Sequence, residues 1–418
     1  MKVVRLKRVA EVRYGLGQPP PSSQDGIPIL RATNIERGRI NPDGLIFAAM
    51  KDLPLGRAPL LKAGEVLVVR SGAYTGDSAL VTPEWEGSAP GYDLRLTPRA
   101  INPRFLAYQM LGPHVLDQIT LARMRAAQPH LNAEDLGDIE IVTGSAEHER
   151  RVSDYLDAET ARMDALTAGY LELVDRLMEQ RVAITVAGVA GEPLAVPRRY
   201  STLSWLTDVP IHWAHAKLTL LARLGSGHTP SRERPEWWTD CTIPWITTGE
   251  VWQIRYDRIE YLSETREKIS QLGLANSSAE LHPAGTVVLS RTASAGFSAI
   301  MATDMATSQD YVTWTCGPRL RPRFLLLCLR AMRQDLLGRL AMGSTHQTIY
   351  VPDIQSIRIP LPPLDEQDRL VEWVWQRLRR IDDATEAISR QVELLVERRQ
   401  ALITAAVTGQ IEVPGVAA

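Results

Sequence analysis

A chain of 418 residues, 44% of them hydrophobic, is too long for one ordinary core and too apolar for disorder, so two or more folded domains are expected. Its formal net charge of −2 argues against a nucleic-acid binder until it is divided along the chain. Residues 1–143 and 193–362 then carry +2 and +4, while residues 144–192 and 363–418 carry −5 and −3.

Residues 1–143 read as a first globular part. Short β-branched runs alternate with Gly/Pro loops, which predicts mixed α and β structure. Val9-Ala10 leads to the loop Gly17-Gln18-Pro19-Pro20, followed by Ile27-Pro28-Ile29-Leu30-Arg31-Ala32-Thr33-Asn34-Ile35. Next comes Ala63-Gly64-Glu65-Val66-Leu67-Val68-Val69-Arg70-Ser71, then Pro103-Arg104-Phe105-Leu106, which opens a short helix, and a closing strand at Asp138–Val142.

Residues 144–192 predict a long helix. Leu156, Met163, Tyr170, Val174, Leu177 and Ile184 follow a 3.5-residue seam, interrupted by Ser153, Thr160 and Thr167. Residues 193–212, with their prolines, read as an irregular connector. Residues 213–362 repeat the landmarks of the first part: Gly227-His228-Thr229-Pro230, Ile243-Pro244-Trp245-Ile246-Thr247-Thr248-Gly249, Ala284–Thr292, Pro322-Arg323-Phe324-Leu325 and a closing strand at Ile357–Leu361.

Residues 363–412 predict the second long helix, and 413–418 form a tail. Its seam runs Val371, Val374, Leu378, Ile381, Thr385, Ile388, Val392, Leu395, Arg399, Leu402 and Ala406. About 45 residues at 1.5 Å each make a rod of roughly 65–70 Å, far longer than a core helix needs. A shift of 218 residues lays the first rod on the second without a gap, carrying Arg162-Met163-Asp164 onto Arg380-Ile381-Asp382 and Gly191 onto Gly409. The expected fold class is therefore α+β: two mixed α/β domains separated by an antiparallel coiled coil of two long helices, with an internal pseudo-twofold.

These residues carry a family resemblance. The whole chain resembles the specificity (S) subunit of type I restriction–modification systems. The resemblance rests on the two rods, on Glu366-Gln367 at the entry to the second, and on its ending, Glu397-Arg398-Arg399-Gln400-Ala401-Leu402-Ile403-Thr404-Ala405-Ala406-Val407-Thr408-Gly409. The Gly227-His228-Thr229-Pro230 loop with Ile243-Pro244-Trp245-Ile246 adds to it. The first rod departs from the pattern, with His148-Glu149 in place of Glu-Gln and with Gly188 in its last turns, where glycine costs about 1 kcal/mol relative to alanine.

The resemblance implies that each globular part is a target recognition domain reading one half of a split sequence in double-stranded DNA. It implies that the rods set the unread spacer and dock two methyltransferase (M) subunits, which restriction (R) subunits join. No cofactor is expected in this chain, S-adenosylmethionine belonging to the partner methyltransferase. Base reading needs polar side chains at groove edges, and three loop sets offer them. The first is Arg31, Thr33 and Asn34 with Thr247 and Thr248. The second is Arg70, Ser71, Tyr74 and Thr75 with Arg291, Thr292 and Ser294. The third is Gln128, His130 and Asn132 with Ser344, Thr345, His346 and Gln347. Arg70 and Arg291 stand out because they fall at the same point of both halves. For any of these residues the plain alternative is a side chain capping a strand or helix.

Most of the ten tryptophans lie in or near the second globular part and read as core, whereas Trp373 and Trp375 lie off the seam, either covering the base of a globular part or forming part of a partner groove. Arg181 and Arg399 share one seam position, either as a register device or with their stems lying along the seam. Cys241, Cys316 and Cys328 are scattered and odd in number, against a disulfide framework or a zinc site. No apolar run spans a membrane, and Met1-Lys2-Val3-Val4-Arg5 opens no signal-peptide core, so a cytoplasmic protein is expected. No phosphate loop, Gly-rich cofactor loop, methyltransferase signature or metal spacing is present, so no catalytic or metal-binding residue is expected. Two alternatives remain at this point: a coiled-coil scaffold with carbohydrate- or peptide-binding domains, and an enzyme with an unrecognised active site.

Overall fold

The computed structural model describes residues 1–124, 130–292, 294–340 and 348–414. The chain is mixed α and β and divides into two compact units, Met1–Leu171 with Ser389–Ala418, and Glu172–Ile388. Two 44-residue helices, Ala146–Val189 and Leu364–Val407, each contribute one stretch to either unit.

In the first unit a four-stranded antiparallel sheet has the order Ala10–Tyr14, Leu94–Pro98, Val66–Val68, Ser78–Leu80. A second sheet places Ile27–Leu30 between Ile46–Ala48, antiparallel, and Ala89–Pro90, parallel. Lys2–Arg5 pairs with Glu140–Thr143. The second unit repeats this plan. Its main sheet runs Ala222–Ser226, Tyr311–Cys316, Val287–Ser290, Ser298–Met301, with Tyr261–Leu262 added parallel at the edge. Ile243–Ile246 sits between antiparallel Glu267–Ile269 and parallel Ala306–Thr307, and Ala214–Lys217 pairs with Arg358–Leu361. The landmarks shared by the two halves of the sequence thus mark corresponding strands.

The long helices form a wall of each core. In the first unit Val152, Leu156, Ile403, Ala406 and Val407 pack with Phe105, Leu106 and Met110. In the second, Val371, Val374, Leu378 and Ile381 pack with Phe324, Leu325 and Trp213. Each such side chain taken fully out of water contributes roughly 1.5–3 kcal/mol. Along the expected seam Leu156, Met163, Val374, Leu378, Ile381 and Ile388 are buried. Tyr170, Val174, Leu177, Ile184, Val392, Leu395 and Leu402 are half-buried. Ser153 and Thr160 do not disrupt it, because each hydroxyl donates to the carbonyl one turn back, at 2.7 Å. Arg181 is buried, and its Nη1 donates to Asp382 Oδ1 at 2.6 Å in the second unit. Arg399 Nη1 donates to Asp164 Oδ1 at 2.5 Å in the first.

Both helices end in the same way. Gly191 and Gly409 adopt φ of +73° and +72°, and the N–H of the residue after each reaches back to the carbonyls of Ala187 and Ala405. This is the left-handed cap that glycine forms without strain. Their first turns match too. Glu149 accepts from the backbone N–H groups of Asn102 (2.7 Å) and Gly144 (3.1 Å), and Gln367 accepts from that of Arg321 (2.8 Å). One polar residue thereby ties each rod to the start of the short helix, Pro103–Met110 or Pro322–Ala331, beside it.

Three expectations need correction. Residues 193–212 are not an irregular connector: Arg198–Tyr200 and Asp208–Pro210 form an antiparallel hairpin, and Leu203, Leu206 and Val209 are buried in the second core. Of the tryptophans, Trp213, Trp245, Trp314 and Trp375 are buried, but Trp252 is 63% exposed. Gly188 does not end its helix, which continues to Val189; a Cβ there would lie 2.1 Å from Val374 Cγ2. The missing side chain is what lets the neighbouring helix approach. Gly188→Ala should therefore lower stability by about 1–3 kcal/mol despite alanine's better helix propensity. A thermal midpoint equal to or above that of the parent would show that Val374 moves aside freely.

Candidate nucleic-acid interface

The predicted loop residues separate into those already used by the fold and those left open. Asn34 is fully buried: its amide donates to the carbonyls of Asn41 (3.0 Å) and Asp43 (2.9 Å), and its Oδ1 accepts the N–H of Arg31 (3.2 Å). It braces its loop and has nothing left for a base. Asn132 caps the helix Ala133–Asp138, with Oδ1 accepting the N–H of Asp135 at 2.8 Å. Thr75 closes its own turn onto the carbonyl of Gly72 at 2.7 Å. Thr247 Oγ1 accepts from Gly249, and Thr292 donates to Asp310. These polar groups satisfy local backbone or buried partners, which is why such residues gather at turns.

Thr33, Tyr74, His130 and Thr248 are exposed, while Ser71 and Ser294 are half-buried. Gln128, Ser344, Thr345, His346 and Gln347 lie outside the described residues. In the first unit the structure brings the first two loop sets to one cavity of about 450 Å³. Gln18, Arg31, Ser71, Tyr92 and Asp93 line it. Arg31 is only partly open there, because its Nη2 donates to the carbonyl of Gly44 at 2.7 Å.

Arg70 and Arg291 occupy the same place in their units. Val68 lies opposite Leu94 and Leu289 opposite Val312, and each arginine follows two residues later. The carbonyl of Arg70 accepts the N–H of Leu131 (2.9 Å), and that of Arg291 accepts the N–H of Ile349 (2.8 Å). Both have a solvent-shielded Nε with no partner, and among the described residues neither guanidinium donates to any protein group. Arg31, Arg95, Arg181 and Arg330 share the shielded Nε, but each donates elsewhere through its Nη atoms. Arg70 also lies over the rings of Tyr14 and Tyr92, at 4.9 and 4.4 Å from their centroids.

Tyr14, Tyr92 and Asp93 escape sequence reasoning because strand register, not sequence proximity, brings them to Arg70. A Tyr–Asp pair at the head of corresponding strands, Tyr92-Asp93 and Asp310-Tyr311, was the available signal. Burial pushes the Asp93 carboxyl up to about 6, opposed by the Arg70 N–H and charge and by the N–H of Ala32. Its folded pKa thus exceeds the ordinary 3.8, and ionisation favours the unfolded chain. The resulting penalty is absent below pH 4, grows as pH rises toward 6 and is constant above. Asp93→Asn, which keeps an acceptor for Arg70, should gain stability relative to the parent across that window, by up to roughly 3 kcal/mol. Denaturation at pH 4, 5, 6 and 7 checks it; a difference independent of pH contradicts the assignment.

With this geometry in place, comparison with solved structures shows a shared fold. The chain matches the HsdS subunit from Thermoanaerobacter tengcongensis with a TM-score of 0.54 at 19% identity, over 98% of this chain and 97% of that one. It matches a chain from work described as the structural basis underlying complex assembly and conformational transition of the type I R-M system. There the TM-score is 0.65 at 21% identity, over 98% of both chains. At these identities the likeness is one of fold.

Sequence comparison matches part of the chain. Residues 210–397 match the family model described as type I restriction modification DNA specificity domain. Relatives include the Type I restriction enzyme MjaIX specificity subunit of Methanocaldococcus jannaschii, 25% identical over 45% of this chain and 42% of the relative. The EcoR124I/EcoR124II specificity subunit of Escherichia coli is 24% identical over 40% of this chain and 41% of the relative. The matches thus span less than half the length of those relatives.

Proposed function

We propose that this chain is the non-catalytic DNA-specificity subunit of a type I restriction–modification complex. Each unit's sheet-and-loop part reads one half of a bipartite duplex target. The paired helices set the spacer and dock methyltransferase subunits, and S-adenosylmethionine is bound by those partners. Restriction subunits complete the assembly.

The observation that carries this is the pair Arg70 and Arg291. A guanidinium normally finds an acceptor when its root is buried, because an unpaired donor costs free energy. Two arginines at equivalent register each have a shielded Nε and no acceptor among the described residues, which leaves donors open to an acceptor from outside the chain. Base edges and phosphates are such acceptors. The acidic helices and mildly basic remainder fit DNA on the latter and protein on the former.

The helix pairing has its own support. Arg181–Asp382 and Arg399–Asp164 exchange under the 218-residue shift, since Arg181 maps to Arg399 and Asp164 to Asp382. Reciprocal contacts of this kind are what an antiparallel, twofold-related pair of helices requires.

Binding should fall steeply with salt, as phosphate contacts release counterions. In the assembled complex, Arg291→Ala should weaken discrimination in one half-site and leave the other intact, by roughly 1–3 kcal/mol. Competition binding with duplexes altered in one half-site at a time measures this. Unchanged preference in both half-sites would remove Arg291 from the interface, and methyl transfer by the purified chain alone would contradict the non-catalytic assignment.

A further inference from the structure

Arg70 differs from Arg291 in how its side chain is held. Tyr14 lies opposite Leu94, and Tyr92 precedes Leu94 by two residues. In the second unit Ser226 lies opposite Val312, and Asp310 precedes it by two. The register positions that brace Arg70 with two rings therefore hold a small hydroxyl and a carboxylate beside Arg291. That carboxylate is already engaged by Thr292 and Ser308.

Arg70 is fixed at its root and along its plane. Its N–H donates to Asp93 Oδ1 at 3.2 Å, and its carbonyl accepts from Leu131 at 2.9 Å. Tyr14 is itself held, its hydroxyl accepting the N–H of Ala133 at 3.1 Å. The guanidinium rests over both rings, and its Nη edge meets no protein acceptor among the described residues. Both tyrosines are partly exposed, 43% and 48%, so the braced fork stands at the surface.

A planar donor fork whose plane is fixed in advance suits two acceptors lying side by side in one plane. A phosphate also accepts such a fork through two oxygens but carries no base identity, and the test below separates the two acceptors. Among base-pair edges, guanine presents O6 and N7 together in the major groove, whereas adenine sets a donor beside its N7. Resting on the DNA-reading function above, we propose that Arg70, positioned by Tyr14 and Tyr92, reads one guanine through the major groove in the half-site bound by the first unit.

The test uses the full-length chain and a duplex selected by it from random sequences. Each guanine of the selected duplex is replaced in turn by 7-deazaguanine, which lacks the N7 acceptor, or by inosine, which keeps O6 and N7. One guanine should show a loss of roughly 5- to 150-fold with 7-deazaguanine and little with inosine. Arg70→Ala should lose a similar factor on the unmodified duplex and become insensitive to 7-deazaguanine there. Arg70→Lys guards against a folding defect: it keeps the charge and the salt dependence but loses the fork, so sensitivity at that guanine should shrink. Tyr14→Leu with Tyr92→Leu should blunt the same guanine preference while the salt slope persists. Salt-dependent duplex binding with no guanine sensitive to 7-deazaguanine, or full sensitivity retained in Arg70→Lys, overturns the assignment and leaves DNA reading intact. A parent chain that binds no duplex overturns both.

Discussion

The polar positions inside the helix seam are the constraint on which the rest depends. Apolar residues at a 3.5-residue period make two helices pair but tolerate sliding by whole heptads. Arg181 removes that freedom in its unit. It is buried, donates to Asp382, and sends Nη2 to the carbonyl of Asp257 at 2.6 Å. Sliding by one heptad would leave its charge buried without a partner, a cost of about 3–5 kcal/mol. Arg330 and Arg333 converge on the same Asp257, whose φ of +55° aspartate tolerates better than most residues. The second unit's helices and its sheet-bearing part thus share one charged hub. In the first unit Arg399 and Arg39 both pair with Asp164, which links helix and loop in the same manner.

What could be read from the sequence was whatever depends on short-range periodicity. The long helices showed because 3.5-residue spacing persists over many turns, and corresponding strands showed because Gly/Pro loops punctuate both halves alike. Packing across elements did not show. Gly188 looks like a weak helix residue until Val374 is seen filling its place, and residues 198–210 look irregular because their proline caps a strand end. At the candidate interface, composition overstated the number of available polar groups. Asn34, Asn132 and Thr292 have the chemistry of base readers and equally that of turn and cap residues, and local backbone claims them first. Arg70 and Arg291 were legible because they recur at one point of a repeat. Their tyrosine and aspartate neighbours were not, because strand pairing brings those together from distant segments.

The division of labour proposed for the chain follows from these two features. The sheet-bearing parts present Arg70 and Arg291, whose guanidinium groups find no acceptor among the described residues, and a sequence reader needs such donors. Long helices with a polar lock supply a length that thermal sliding cannot change, and a bipartite target needs one. Variation in the loops would alter which bases are preferred without touching the seam. Variation in helix length would alter spacing without touching the loops.

That separation is tested most directly by deleting one seven-residue heptad from facing positions of both helices and mapping the methylated sites made by the assembled complex. Seven residues shorten the rods by about 10.5 Å, roughly three base pairs of duplex. A spacer shortened by about that amount between unchanged half-sites is expected. An unchanged spacer, or new half-sites at the old spacing, would contradict that separation.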